Sequence, residues 1–155
     1  MPLSPTPPRP ATPAGDVTEA VRALARASRL LEKALGELHL AHYRVLSAVA
    51  SGDQRATRVA ARLALGKPAI SATVDSLCQR GLLARSDVES DQRAAALQLT
   101  PLGQAVLEKA ETDMVAWLTA LGDRTPDGPR LFQALAWMSP AIDQMAADRC
   151  PEPGR

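Results

Sequence analysis

Apolar residues recur every three or four positions through most of the chain, the spacing that places them on one face of an α-helix. Short segments rich in glycine, proline and polar residues interrupt this spacing and mark the ends of the helices. Asp16 is expected to cap the first helix, with Glu19 three residues later completing a capping box. The pattern predicts six helices, at about 17–35, 40–51, 55–64, 67–80, 101–121 and 130–147.

Two of these helices have strong start and stop signals. Gly66 can cap the fourth helix, Pro68 falls near its first position, and Gly81 can end it as the glycine that follows a helix. Thr100 followed by Pro101 gives an equally clear start for the long fifth helix. We therefore expect the segment between Gly81 and Thr100 to have a different structure.

That segment reads as a β-hairpin. "LLARS" and "AAALQL" are short apolar runs separated by turn-forming residues, which predicts two strands with a tip at about 87–93. The helices at 55–64 and 67–80 have the proportions of a helix-turn-helix, whose second helix enters the major groove of DNA. Since the hairpin follows directly, the sequence predicts a mainly α protein with a small β-hairpin wing, a winged helix-turn-helix with flanking helices.

Length and composition indicate one domain. We expect it over 16–148, whereas the proline-rich residues 1–15 lack the apolar content to pack and are expected to be a disordered tail. No apolar run reaches the roughly 18 residues of a membrane span, and no signal-peptide pattern is present, so a cytoplasmic protein is expected. Cys78 and Cys150 lie outside any CxxC pair or Cys/His cluster, so neither a metal site nor a cofactor is expected.

Charge is distributed unevenly, although the formal net charge is only +1. Residues 41–100 contain eight Arg or Lys and five Asp or Glu, a net charge of +3, whereas residues 101–155 contain five and eight, a net charge of −3. A basic middle segment suits a protein that presents one face to a polyanion, but an ordinary solvated surface gives the same counts. Charge alone therefore does not identify the partner.

A long segment of the sequence resembles a known protein family. The span from "LHLAHYRVLSAV" to "LTPLGQAVL", about 38–107, resembles the MarR family of bacterial transcriptional regulators. Its most specific pieces are "VDSLCQRGLLAR", the D-x-R of Asp91 and Arg93, and "LTPLG" after the second strand. The resemblance implies a homodimer of winged-helix subunits that binds pseudo-palindromic double-stranded DNA, usually as a repressor. Many members of the family release DNA when a small anionic or phenolic effector binds.

The resemblance also implies which residues contact DNA. Arg93 at the wing tip would enter a minor groove, with Asp91 pairing either with it or with Arg85 and so fixing the shape of the tip. Many relatives have arginine where this chain has Ala72, which alters base readout at that position. The full set of candidate DNA-binding residues is Arg55, Lys67, Pro68, Ala69, Ser71, Ala72, Thr73, Arg85, Asp91 and Arg93. Arg58 is a further candidate for a backbone contact, whereas Asp75 and Ser76 read as surface or intramolecular positions.

The flanking helices and the start of the second helix have roles implied by the same resemblance. The apolar sides of the helices at 17–35, 101–121 and 130–147 would form the dimer interface. His39, His42 and Tyr43 would lie near an effector pocket, where a histidine can hold a carboxylate or phenolate. The alternative is that these histidines cap or pack a helix beside the dimer interface.

Other classes of function have less support. We find no nucleophile–base motif, phosphate loop or metal-ligand spacing, so an enzyme is not expected. A winged helix that binds a protein partner, or a small ligand-binding protein that does not bind DNA, remains as an alternative. Cys78, between an apolar and a polar residue, reads as a partly buried thiol rather than as a redox sensor.

Overall fold

The computed structural model describes residues 14–63, 65–86 and 96–149. Within these ranges it contains six helices and one two-stranded antiparallel sheet: α1 (Ala14–Ala34), α2 (Leu40–Ala50), α3 (Ala56–Leu63), α4 (Lys67–Gln79), β1 (Leu83–Ser86), β2 (Ala96–Leu99), α5 (Pro101–Gly122) and α6 (Gly128–Arg149). The order and type of these elements confirm the predicted winged helix-turn-helix. Residues 1–13 of the predicted tail and the hairpin tip lie outside the described residues.

The start of α1 differs from the prediction. The helix begins at Ala14, so Asp16 lies in its first turn and is not the N-cap, and residues 14 and 15 belong to the helix rather than to the tail. Glu19 does not complete a capping box: its carboxylate lies 3.7 Å from Arg22 and 3.6 Å from Arg26. A carboxylate anywhere in the first turn interacts favourably with the helix dipole. Asp16 therefore stabilises α1 without defining its first residue.

The core lies between the helix-turn-helix, the hairpin and α2. Its most deeply buried side chains are aliphatic and come from four elements, α2, α3, α4 and β2: Val45, Leu46, Val59, Ile70, Val74, Leu77 and Leu97. Three of them lie on the inward face of α4 at helical spacing, as the sequence predicts. The same packing orients the opposite face of α4 towards solvent.

Backbone hydrogen bonds join the two strands of the hairpin to each other and also join β2 to the loop before α3. In its register Leu83 pairs with Leu99 and Ser86 pairs with Ala96. The backbone N–H of Leu97 also donates to the carbonyl oxygen of Gln54 at 2.6 Å, so the loop between α2 and α3 is bonded to the edge of β2. The base of the wing is therefore connected to the helix-turn-helix through the backbone.

The flanking helices leave much apolar surface uncovered. On α5, Leu102 is 56% exposed and Val115 is 64% exposed. The exposed large apolar residues of α1 and α6 include Val17, Val21, Leu24, Trp137, Met138, Ile142 and Met145. Among the described residues, no helix combines the length and the apolar character needed to span a membrane.

Candidate nucleic-acid interface

The first two turns of α4 present small side chains to solvent. Gly66 precedes the helix in an extended conformation (φ −66°, ψ 148°), and Pro68 lies in the first turn, where its missing N–H leaves no helical hydrogen bond unmade. Pro68, Ala69, Ser71 and Ala72 are all exposed. The side chain of Lys67, the other candidate in this turn, is not among those described. A backbone covered only by small side chains can approach base edges closely, as a helix in the major groove must.

The hydroxyl groups of the two candidate DNA-binding residues Ser71 and Thr73 differ in their availability. The Oγ1 of Thr73 donates to the carbonyl oxygen of Ala69 at 2.9 Å, so its proton is used within α4. Ser71 makes no side-chain hydrogen bond with the described part of the chain and is exposed. Of the two sequence candidates, Ser71 is therefore the one whose hydroxyl is free to donate to DNA.

Cations flank this face on the side of α3. Arg55 and Arg58 are exposed and form no ion pair with any residue that the structure describes. Arg62 differs, because its Nη1 lies 3.1 Å from the carboxylate of Asp53. Within the described residues, Arg55 and Arg58 therefore have no carboxylate partner that would offset their attraction to a polyanion.

Arg85 lies at the base of the wing and has a partner that the sequence did not suggest. Its Nη2 donates to Oδ1 of Asp75 on α4 at 2.5 Å, which forms an ion pair between strand and helix. This also shows that Asp75 makes an intramolecular contact, as expected. Asp91 and Arg93 lie outside the described residues, and their predicted roles stay predictions.

The end of α4 packs closely against the start of α5. Gly81 has a φ of +69°, the left-handed conformation that ends a helix at glycine. The Oγ1 of Thr100 donates to the carbonyl oxygen of Gly81 at 2.6 Å and accepts from the backbone N–H of Gly103 at 2.9 Å. Gly103 packs so closely that a Cβ there would lie 2.0 Å from the carbonyl oxygen of Leu82. The end of α4 and the start of α5 are thus held together as one unit.

The candidate effector residues form a cluster at the start of α2. The rings of His39 and His42 meet edge to face with their centroids 5.5 Å apart. His39 occupies the N-cap position of α2, although its side chain makes no capping hydrogen bond. The Nη1 of Arg80, the residue that follows α4, lies 3.1 Å from Nδ1 of His42. Since a guanidinium can only donate, Nδ1 of His42 accepts and the ring is neutral, with its proton on Nε2.

The titrating groups of this cluster are shifted in opposite directions. Burial, and then the positive charges of Arg80 and His39, lower the pKa of His42 below its ordinary value. Burial raises the pKa of the Tyr43 hydroxyl; a hydrogen bond from Ser47 opposes this shift and the Glu111 carboxylate adds to it. Both shifts favour the neutral side chains near pH 7, so the cationic group that the cluster offers to an anion is Arg80.

We expect acid to weaken the contact between His42 and Arg80. The pKa of His42 is lower in the folded chain than in the unfolded chain, so the unfolded chain takes up the proton more readily. The stability that depends on neutral His42 is complete above the unfolded pKa of about 6.5 and is lost progressively as the pH falls from there through the lower pKa of the folded chain. His42→Asn keeps an acceptor near the position of Nδ1 but does not titrate.

Denaturant unfolding at about pH 7.5 and about pH 5.5 tests this expectation. The free energy of unfolding should fall more between these values in the unaltered chain than in His42→Asn. Equal decreases in the two proteins would show that the contact does not sense the proton.

Other candidate chemistry is not assembled in the described residues. Cys78 is a free thiol of intermediate exposure packed against the core, as the sequence suggested. Within the described ranges, no group of three or more His, Cys, Asp or Glu side chains is arranged to hold a metal ion.

Comparison with protein families gives a match that includes the helix-turn-helix and the first strand. Residues 37–94 match the model of the MarR family. This part of the chain is similar to the MarR family. The match confirms the resemblance found in the sequence, and the family consists of transcription regulators rather than enzymes. No curated protein sequence matches the chain.

Solved structures extend the likeness to the flanking helices. MarR from Staphylococcus aureus, in complex with salicylate and kanamycin, has a TM-score of 0.71 at 19% identity over 85% of this chain and 91% of that chain. BldR from Sulfolobus solfataricus, a transcriptional regulator, has a TM-score of 0.65 at 22% identity over 79% and 91%. MOSR from Mycobacterium tuberculosis, in complex with DNA, has a TM-score of 0.61 at 20% identity over 86% and 98%. The chain therefore has the MarR regulator fold.

The sequence does not single out two charged residues that the structure brings into the candidate site. It indicates a surface or intramolecular position for Asp75 without a partner, and it assigns no role to Arg80. Asp75 carried a weak signal, since it is an acid on the helix expected to contact DNA. Arg80 carried none, because its partner His42 is 38 residues away in the sequence.

Proposed function

We propose that this protein is a cytoplasmic, homodimeric, sequence-specific transcription regulator that represses genes by binding a pseudo-palindromic operator. One observation carries this proposal. The exposed face of α4 is covered by Pro68, Ala69, Ser71 and Ala72, and α4 packs against both α3, at whose start Arg55 and Arg58 have no ion-pair partner among the described residues, and the first strand of the wing. Small side chains for base edges and flanking cations for phosphates are the two requirements of specific DNA binding.

Dimer formation would cover the apolar residues that the flanking helices expose. Trp137 is 66% exposed and Ile142 is 54% exposed on α6, and Val21 is 63% exposed on α1. Large apolar residues exposed repeatedly along the same helices are a feature of surfaces that bind another protein chain. We therefore assign α1, α5 and α6 to dimerisation and residues 40–100 to DNA binding, so that two α4 helices reach successive major grooves.

Release by a small anionic or phenolic effector has a physical route in this fold. An anion bound beside Arg80 would compete with His42 for the guanidinium at the end of α4. Since Thr100 and Gly103 hold the end of α4 against α5, a shift there would be transmitted to the proposed dimer helices. An effector that prefers a subunit spacing unsuited to the operator would lower DNA affinity. That salicylate, an anionic phenol, is bound in the S. aureus MarR structure supports this class of effector.

The proposed function is tested by measuring how the protein binds the DNA that flanks the gene encoding it. The purified full-length chain is titrated with this duplex and with a shuffled duplex of equal length, each at two salt concentrations. We expect tighter binding to the native duplex and weaker binding of both at higher salt, because bound phosphates release counterions. If no native promoter is bound in a salt-dependent way, the winged helix serves a protein partner or a small ligand instead.

Arg93 gives a prediction for the wing tip. Arg93→Ala should weaken operator binding by about 1–3 kcal/mol and lower the slope of log K against log salt by about one, because one cation leaves the minor groove. Arg124→Ala is a matched control, since it removes the same charge from the turn after α5, beyond the proposed DNA-binding lobe. Unchanged affinity in Arg93→Ala would remove Arg93 from the interface.

A further inference from the structure

An acid on the candidate DNA-binding helix requires an explanation. Asp75 lies on α4, one turn beyond Ser71 and Ala72, and its carboxylate would repel the phosphates of a bound duplex. Its Oδ1 accepts from Nη2 of Arg85 at 2.5 Å, and both side chains are about half exposed, at 53% and 50%. Exposed pairs of this kind contribute little to stability, so folding alone gives weak reason for an acid at this position.

The pair does constrain the arginine. Arg85 is on β1, where its backbone is fixed by pairing with Leu97, and its long side chain is fixed by the carboxylate of α4. A guanidinium carries five N–H donors, and one carboxylate oxygen occupies only one or two of them. The remaining donors are therefore held in a defined direction before DNA arrives, and less side-chain freedom is lost on binding.

The neighbouring arginines lack this constraint. Arg55 and Arg58 have no ion-pair partner in the described part of the chain, so they can follow any phosphate within reach. A free cation strengthens binding to every duplex, whereas an oriented one strengthens binding only where a phosphate lies in the right place. Its acidic partner meanwhile weakens binding to all DNA.

We propose that Asp75 is a positioning residue that orients Arg85 towards one backbone phosphate and thereby raises discrimination between the operator and other DNA. The inference rests on the proposed function, since it requires that the α4 face binds DNA. It assigns Asp75 no contact with a base. The carboxylate acts through Arg85 and through repulsion of misplaced phosphates.

The test compares an operator, selected from a random DNA pool with the unaltered chain, with a shuffled duplex of equal length. Asp75→Asn keeps the shape of the side chain and removes its charge. We expect about tenfold weaker operator binding and unchanged or tighter binding to the shuffled duplex. Asp75→Glu, which keeps the carboxylate, should retain more discrimination than Asp75→Asn. The midpoint of denaturant unfolding should stay the same in all of these variants, because the exposed pair contributes little to folding.

A double-mutant comparison isolates the positioning role. Arg85→Gln should weaken binding to both duplexes, and Asp75→Asn in that background should cause no further loss of discrimination. Asp113→Asn is the matched control: it removes one carboxylate from the exposed pair with Lys109 on α5 (2.6 Å) and should leave discrimination unchanged.

Two results would overturn the inference. In the first, Asp75→Asn changes the affinities for the operator and for the shuffled duplex by the same factor, as expected from net charge alone. In the second, Asp75→Asn lowers discrimination as much in the Arg85→Gln background as in the unaltered chain. Either result, with an unaltered chain that still prefers its operator, rejects the positioning role and leaves the proposed function intact. An unaltered chain that prefers no DNA rejects both.

Discussion

Gly103→Ala is expected to destabilise the protein by at least about 3 kcal/mol, a large fraction of the stability of a small domain. The added methyl group would lie 2.0 Å from the backbone carbonyl oxygen of Leu82, which no side-chain rotation can relieve. Either α5 or the strand that begins at Leu83 must move. The hydrogen bond from Gly103 to Thr100 would be lost with that movement.

Urea unfolding measures this effect directly. Gly66→Ala is the matched control, because a Cβ there meets only the side chain of Pro68 at 3.7 Å. We expect that control to lose less than about 1 kcal/mol, the cost of replacing a glycine N-cap by alanine. An unfolding midpoint of Gly103→Ala equal to that of the unaltered chain would show that α5 is not packed tightly against the end of α4.

Ile142→Asp is expected to convert the proposed dimer to a monomer and to weaken operator binding by about 100-fold or more, because each subunit then binds only one half-site. Ile142 lies on α6 between Met138 and Met145 at helical spacing, and more than half of it is exposed in the single chain. In a symmetric dimer the substitution would bury two unpaired carboxylates in apolar surface.

Gln144→Asp is the control, since it adds the same charge about 200° around the helix from residue 142. Light scattering at micromolar concentration should give a dimeric mass for the unaltered chain and for Gln144→Asp, and a monomeric mass for Ile142→Asp. A dimeric mass for Ile142→Asp, with unchanged operator affinity, would place the interface elsewhere.

Elements with local signals were predicted well. Thr100 and Pro101 mark the start of α5, and Gly81 marks the end of α4, because capping and backbone conformation depend on neighbouring residues. The start of α1 was missed by three residues, since Ala14 and Gly15 carry no signal that excludes them from a helix. The hairpin was found because its alternation and length differ from those of the helices beside it.

Contacts between distant residues were not predicted. The sequence suggested only Asp91 as a possible partner of Arg85, and it is the packing of β1 against α4 that shows the ion pair with Asp75. The contact between His42 and Arg80 depends likewise on how α2 crosses the end of α4. Sequence patterns therefore located the candidate interface, whereas the partners of its charged groups required the structure.

The exposed face of α4 was the best-predicted part of the site. Ile70, Val74 and Leu77 are buried as their spacing indicated, which leaves Ser71 and Ala72 outward. The hydroxyl of Thr73 is the exception, because a threonine inside a helix can donate to a carbonyl of the preceding turn.

Selection of bound sequences from a random DNA pool tests the central claim most directly. A homodimer with one α4 helix in each half-site should enrich a two-fold symmetric sequence whose half-site centres lie about 10 base pairs, one helical turn, apart. Raising the salt concentration during selection should reduce recovery without changing the enriched sequence. Enrichment of a single unrepeated half-site would contradict the dimer, and no enrichment at all would contradict sequence-specific DNA binding.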